Sequence, residues 1–67
     1  MEISARNQLR GTIKRVTPGA VMTEVVVDIG GHEVVALISR ASAERLKLAL
    51  GDPVVAIVKA TEVMIGK

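Results

Sequence analysis

The stretch VMTEVVVDIGGHEVVALI, residues 21 to 38, decides the fold. β-Branched residues are frequent on both sides of Gly30-Gly31, a dipeptide typical of a two-residue hairpin turn. The pattern therefore predicts two antiparallel strands, Val21 to Ile29 and His32 to Ile38. Both are apolar on much of both faces, whereas an antiparallel sheet in a monomer normally keeps one face polar. We expect one face to fill a core and the other to meet a neighbouring subunit.

The chain on either side of this hairpin predicts one earlier strand, a helix and two later strands. The order is typical of an all-β domain of the OB type, a five-stranded, partly open Greek-key barrel with one short helix between strands three and four. We expect a single domain over residues 1 to 67. The predicted elements are a strand over Ile3 to Val16 with a bend or close packing at Gly11, a helix capped by Ser39 or Ser42 and ending near Gly51, and strands over Val54 to Val58 and Glu62 to Ile65.

The size of the chain favours self-association. A domain of 67 residues buries only roughly 60% of the surface that its unfolded chain exposes. Such small domains gain stability from disulfides, a structural metal or oligomerisation. The sequence has no Cys, and the single His32 cannot form a zinc site alone. Because 49% of the residues are hydrophobic, more than so small a monomer can hide, we expect a homo-oligomer.

Composition also argues against several classes of function. No stretch approaches a membrane span and no signal pattern begins the chain, which predicts a cytoplasmic protein without a membrane partner. The absence of Phe, Tyr and Trp removes the flat surfaces on which single-stranded bases stack, so we expect no nucleic-acid partner. The sequence has no nucleophile flanked by a base, no metal-ligand cluster and no Gly-rich phosphate loop. We therefore do not expect an enzyme.

Two short clusters of hydrogen-bond donors could hold a small oxyanion. The first is Ser4-Ala5-Arg6 and the second is Lys59-Ala60-Thr61, with Ser39 as a further hydroxyl. A tetrahedral dianion needs several convergent donors, and charge-assisted hydrogen bonds are about twice as strong as neutral ones. Taken alone, each residue also fits an ordinary role, a solvated surface charge for Arg6 and Lys59 and a helix cap for Ser39.

The motif SARNQLxG over residues 4 to 11 resembles the signature of the Mop domain of molbindins. The resemblance continues through residues 16 to 21, Glu24-Val25, Gly30-Gly31 and residues 58 to 63, and thus covers essentially the whole chain. It implies an OB-like barrel that assembles into a hexamer, a trimer of dimers, with molybdate or tungstate bound between subunits. It also implies a role in intracellular molybdenum storage or homeostasis without an organic cofactor.

The resemblance further implies a pocket whose ligands are divided between chains. Position 60 is often Ser in this family, whereas Ala60 offers only its backbone, which removes one side-chain hydrogen bond. The implied ligands are Ser4, Arg6 and the N–H of Ala5 from one chain, completed by Lys59, the N–H of Ala60 and Ser39.

Two functions of other classes stay open on the sequence. An OB-type nucleic-acid-binding module is favoured by the predicted fold and by the pI near 9.5. A purely structural interaction module, whose anion site is vestigial, would also use the predicted apolar faces. Measurements of anion binding and of oligonucleotide binding distinguish these two functions from oxyanion binding.

Overall fold

The hairpin predicted around Gly30-Gly31 is confirmed in the computed structural model, which describes residues 1–67. The N–H of Ile29 donates to the carbonyl of His32 over 2.8 Å, which closes a turn with the two glycines at its centre. Their φ angles are 76° and 94°, values that other L-residues rarely adopt. The side chain of Asp28 accepts from the N–H of Gly31 and further fixes the turn.

Four strands form one antiparallel sheet in the order β3-β2-β1-β4. β1 is therefore central and pairs with β2 along one edge and β4 along the other, while β3 and β4 each have one unpaired edge. The elements in chain order are β1 (Asn7–Pro18), β2 (Met22–Asp28), β3 (Glu33–Ser39), α1 (Arg40–Arg45), β4 (Pro53–Val58) and a short 3₁₀-helix (Ala60–Glu62).

The predicted fifth strand, Glu62 to Ile65, is wrong. Glu62 ends the 3₁₀-helix, and residues 63 to 67 have no secondary structure. A strand forms only where a neighbour accepts its backbone hydrogen bonds, and the chain offers this segment none. Met64 and Ile65 are 92% and 91% exposed. The observed fold is therefore an all-β, four-stranded curled sheet with one short helix, not a five-stranded barrel.

The bounds of β2, β3 and β4 differ from the prediction by at most one residue at either end, and those of β1 and α1 differ by more. β1 begins at Asn7 instead of Ile3 and continues through Pro18. Of the two predicted caps, Ser39 and Ser42, the helix begins after Ser39, and it ends at Arg45. Lys47 has a φ of 53°, the left-handed conformation that commonly terminates helices, so the chain leaves the helix before Gly51. No helix of the structure is both long and apolar enough to cross a membrane.

Ile13, Val25 and Val27 form a buried cluster on one face of the sheet, and Val26, which lies on the other face of β2, is also fully buried. Partly buried Val16, Ile29, Ile38, Leu48 and Val54 pack against the cluster. The other face of β3 carries Val35 and Leu37, which are 59% and 65% exposed. β3 is thus apolar on both faces, as predicted, and a single chain covers only one of them.

Gly11 is a position of close packing and not of a bend. β1 pairs continuously with β4 through Gly11, and the irregularity in β1 falls between Ile13 and Arg15, where its register against β2 shifts. A Cβ at Gly11 would lie 2.4 Å from the carbonyl oxygen of Asp28. The absence of a side chain therefore lets β1 approach the end of β2.

An exposed ion pair joins the irregular part of β1 to β3. Lys14 Nζ donates to the carboxylate of Glu33, and this hydrogen bond and the charge attraction lower the pKa of Glu33 and raise that of Lys14. Because the folded-state pKa of Glu33 is lowered, the pair stabilises the fold above the ordinary Glu pKa, and this contribution is lost as pH falls through the folded value. For Lys14 the contribution is lost as pH rises through its raised pKa.

We expect Lys14→Gln to raise the pKa of Glu33 towards the ordinary value of about 4.3. The carbon chemical shift of the Glu33 carboxyl group, followed by NMR against pH, measures this change. Stability at neutral pH should change little, because exposed pairs contribute little. Lys67→Gln is the control, and an unchanged Glu33 midpoint in Lys14→Gln would contradict the pairing.

Candidate oxyanion-binding site

The pairing of β1 with β4 brings the two donor clusters together. Asn7 lies opposite Val58 in the register, so the residues before β1 and those after β4 emerge side by side at one end of the sheet. They border a groove of about 860 Å³. Its lining comprises Ile3, Ser4, Ala5, Arg6, Asn7, Ile57, Lys59, Ala60 and Thr61.

The first wall of the groove is held by Gln8. Its side-chain amide donates to the carbonyl of Ala5 over 2.7 Å, and its backbone N–H donates to the carbonyl of Arg6 over 3.1 Å. These bonds direct two carbonyl oxygens, which would repel an anion, towards Gln8. Ser4 lies in a bend before the strand. The donors of this wall are thus the side chains of Ser4 and Arg6 and the N–H of Ala5.

The second wall is the start of the 3₁₀-helix. The N–H of Glu62 donates to the carbonyl of Lys59 over 2.9 Å, and the N–H of Val63 donates to that of Ala60 over 3.5 Å. These bonds leave the N–H groups of Ala60 and Thr61 without a backbone acceptor, as is usual at the start of a helical turn. Both N–H groups adjoin the Lys59 side chain in sequence, so this wall combines one full charge with neutral donors.

The charge of the groove favours an anion. Its lining contains two cations, Arg6 and Lys59, and no carboxylate. The two ion pairs of the structure, Lys14–Glu33 and Arg40–Glu44, involve neither of them. Both side chains are exposed. They are therefore available to a ligand, whereas a metal cation would meet like charge and no acidic ligand.

Ser39 lies apart from this groove. It caps α1, where its Oγ accepts from the N–H of Ser42 over 3.0 Å and donates to Ser42 Oγ over 2.8 Å. β3, which ends at Ser39, and β4 are at opposite ends of the strand order. Within one chain, the structure brings together Ser4, Ala5, Arg6, Lys59 and Ala60 but not Ser39.

The sequence does not predict Asn7 as a site residue, and it places Thr61 in the second donor cluster but not among the implied ligands. Both line the groove, so their amide and hydroxyl groups add to its polar surface. Thr61 is adjacent to Lys59-Ala60, which is a local signal. Nothing local singles out Asn7, because its place depends on the pairing of β1 with the distant β4.

The structure is thus a small antiparallel β domain whose main groove carries two cations and no carboxylate, a charge that suits a small anion. The sequence matches the TOBE domain over residues 3–65, and the chain belongs to this family. The resemblance to Mop-type proteins that the sequence motifs indicate is confirmed by the relatives.

One relative is the probable molybdenum-pterin-binding protein of Haemophilus influenzae, 45% identical over 67 residues that cover 98% of this chain and 97% of the relative. Among solved structures, the molybdate-binding protein of Sporomusa ovata superposes with a TM-score of 0.95 at 46% identity, over 100% of both chains. The cytoplasmic molybdate-binding protein ModG, solved with molybdate bound, gives a TM-score of 0.85 at 46% identity, over 90% of this chain and 43% of that one.

Proposed function

We propose that this protein binds molybdate, and also tungstate, in the groove between residues 4–6 and 59–61, and thereby stores or buffers molybdenum in the cell. The observation that carries the proposal is the meeting of Arg6 and Lys59, from opposite ends of the chain, in a groove without a carboxylate. The relatives named for molybdenum or molybdate binding support the choice of anion.

The donors suit a tetrahedral oxyanion. The Arg6 guanidinium offers several N–H groups in a planar fork, and the Lys59 ammonium offers three rotatable donors. Ser4 adds a hydroxyl, while Ala5 and Ala60 add backbone N–H groups. Ala60 has no side-chain donor, so its contribution comes from the main chain alone. Charge-assisted bonds supply most of the affinity and the neutral donors supply the tetrahedral fit.

A second copy of the chain completes the proposed site. The groove of about 860 Å³ is much larger than one tetrahedral anion and opens to solvent, so a single chain surrounds the ligand on one side only. Ser39 from another copy is our candidate for the missing donor. The exposed apolar face of β3 and the apolar tail residues 63 to 65 favour assembly, which we propose to be a hexamer formed as a trimer of dimers.

In this proposal, binding of the anion and assembly of the subunits are linked. An anion that binds only the assembled form stabilises that form by mass action. The proposed role is binding without catalysis, in the cytoplasm, with no organic cofactor and with neither nucleic acid nor membrane as partner. The similarity to ModG, a cytoplasmic molybdate-binding protein, supports the proposed location.

Calorimetric titration with molybdate, tungstate and sulfate tests the proposed function. We expect molybdate and tungstate to bind and sulfate to bind at least about tenfold more weakly, because rigid donors placed for a larger anion cannot all reach a smaller one. Equal binding of the three anions, or binding of none, would contradict the proposal. A salt-dependent complex with single-stranded oligonucleotides would favour the nucleic-acid alternative.

Light scattering tests the assembly separately. A hexamer at micromolar concentration is expected, and a stable monomer would contradict the intersubunit site. Assembly without any anion binding would favour the alternative of a structural interaction module.

A further inference from the structure

The arm that precedes β1, residues 1 to 6, is attached to the sheet through Gln8. The arm forms no helix or strand, and none of its residues is buried. Two hydrogen bonds involve it, and Gln8 is the donor of both, from Nε2 to the carbonyl of Ala5 and from its N–H to the carbonyl of Arg6. No ion pair involves the arm. The donors of the first wall therefore depend on one residue for their position relative to β1.

The backbone hydrogen bond of Gln8 closes a three-residue turn with Asn7 at its centre. Asn7 is not among the residues with a positive φ angle, so the turn is an inverse γ-turn, a form that is common at strand ends. Asn7 is also the first residue of β1, opposite Val58 of β4. The turn therefore sets the direction in which the arm leaves the sheet beside the end of β4.

The side-chain hydrogen bond of Gln8 sets the orientation of the peptide unit between Ala5 and Arg6. In a planar trans peptide the carbonyl and the N–H point in opposite directions. Because the Ala5 carbonyl is directed at Gln8 Nε2, the N–H of Arg6 points away from Gln8. The N–H groups of Ala5 and Arg6 donate to no acceptor within the chain. Both residues line the groove and Gln8 does not, so Gln8 occupies an acceptor of this wall and leaves two backbone donors free.

We infer that Gln8 is a positioning residue of the oxyanion site, an inference that rests on the proposed function. Gln8 does not contact the anion. It holds the peptide between Ala5 and Arg6 so that the N–H is available to the anion, while the carbonyl, which would repel it, is bonded to Gln8. Without this side-chain bond the arm samples several orientations. Only the fraction in the binding orientation accepts the ligand, and the apparent affinity falls with that fraction.

Gln8→Met tests the inference, because methionine has a similar length and no donor, and the backbone N–H is kept. In calorimetric titration of the full-length protein we expect molybdate to bind about fivefold more weakly, as the loss of one hydrogen bond implies. The urea midpoint at a fixed protein concentration should stay unchanged, since the arm is not buried. Thr12→Val is the matched control. It replaces another exposed polar side chain on the same face of β1, and it should leave the affinity unchanged.

NMR of the ligand-free protein tests how the substitution acts. In Gln8→Met we expect the carbonyl carbon signal of Ala5 to shift and the heteronuclear NOE of the Ala5 and Arg6 amides to fall, because the arm gains motion on the nanosecond timescale. The NOE of Leu9 and the later residues of β1 should stay as in the wild type. Saturation with molybdate should restore the NOE of Ala5 and Arg6. A residue that contributed only to overall stability would leave these signals unchanged.

The outcomes separate this inference from the proposed function. Wild-type affinity in Gln8→Met, or an unchanged NOE for Ala5 and Arg6, would overturn the inference and leave the proposed function intact. Weaker binding together with a lowered urea midpoint, or an equal loss of affinity in Thr12→Val, would also overturn it. Absence of molybdate binding to the wild-type protein would contradict the proposed function, and the inference with it.

Discussion

Replacing Arg6 with alanine should weaken molybdate binding by about 2 to 4 kcal/mol, roughly 30- to 900-fold. In the proposed intersubunit site, the change removes a charged, multi-donor group beside the bound dianion, so the oxyanion would lose charge-assisted hydrogen bonds that water replaces poorly. Lys59→Ala should have an effect of similar size, because Lys59 is the only other cation of the groove. Calorimetric titration of each variant measures the loss.

Arg10→Ala is the matched control for Arg6. Arg10 is an exposed arginine of the same strand, opposite Val55, and it does not line the groove. Its removal should leave the molybdate affinity within about twofold of wild type. The reason is that salt at physiological concentration screens the long-range effect of its charge, so that local contacts dominate. Lys67→Ala serves the same purpose for Lys59. Wild-type affinity in both Arg6→Ala and Lys59→Ala would show that the groove is not the site.

Gly11→Ala should destabilise the fold by about 3 kcal/mol, at the upper end of the usual cost of overpacking. The new Cβ would lie 2.4 Å from the carbonyl oxygen of Asp28, 2.7 Å from a methyl of Val27 and 2.8 Å from a methyl of Ile29. The first of these is a backbone atom, so relief requires β1 and β2 to separate next to the core. Against a typical total of about 5 to 15 kcal/mol, the loss is large.

Urea unfolding at a fixed protein concentration measures this loss, since assembly would make the midpoint depend on concentration. Gly66→Ala is the control, because a Cβ there would meet nothing within 4 Å. It should change the free energy of unfolding by less than about 0.5 kcal/mol. A Gly11→Ala protein as stable as Gly66→Ala would contradict the observed packing of β1 on β2.

The parts of the fold that sequence predicts well are those that local chemistry determines. Gly30-Gly31 defines the hairpin because its glycines adopt φ angles that other residues avoid. A serine at 39 or 42 is predicted as the helix cap because its hydroxyl can accept from an N–H in the first turn, and Ser39 does so from Ser42. Both features depend on only a few neighbouring residues.

Local chemistry does not determine whether the predicted fifth strand forms. Val63, Met64 and Ile65 have the composition of a strand, but a strand also requires a neighbour to pair with, and this is a property of the whole assembly. In one chain these residues stay unpaired and exposed. The strand prediction is therefore wrong because residue composition reports a local preference, whereas strand formation also depends on pairing with another segment.

The sequence predicts which residues form the candidate site better than it predicts how these residues come together. Residue type and the family motif predict Ser4, Arg6 and Lys59 as donors. Their meeting depends on the register that places Asn7 opposite Val58, a contact between the two ends of the chain. The same register brings Asn7 into the lining, which no local pattern indicates.

The most direct test of the proposed function is the position of molybdenum in crystals grown with molybdate. An anomalous difference map at the molybdenum absorption edge should show a peak in the groove, with molybdate oxygens within hydrogen-bond distance of Ser4 Oγ, the Arg6 guanidinium and Lys59 Nζ. Ser39 of a second copy should close the site. A map without a peak in the groove, or with peaks only elsewhere on the protein, would contradict the account.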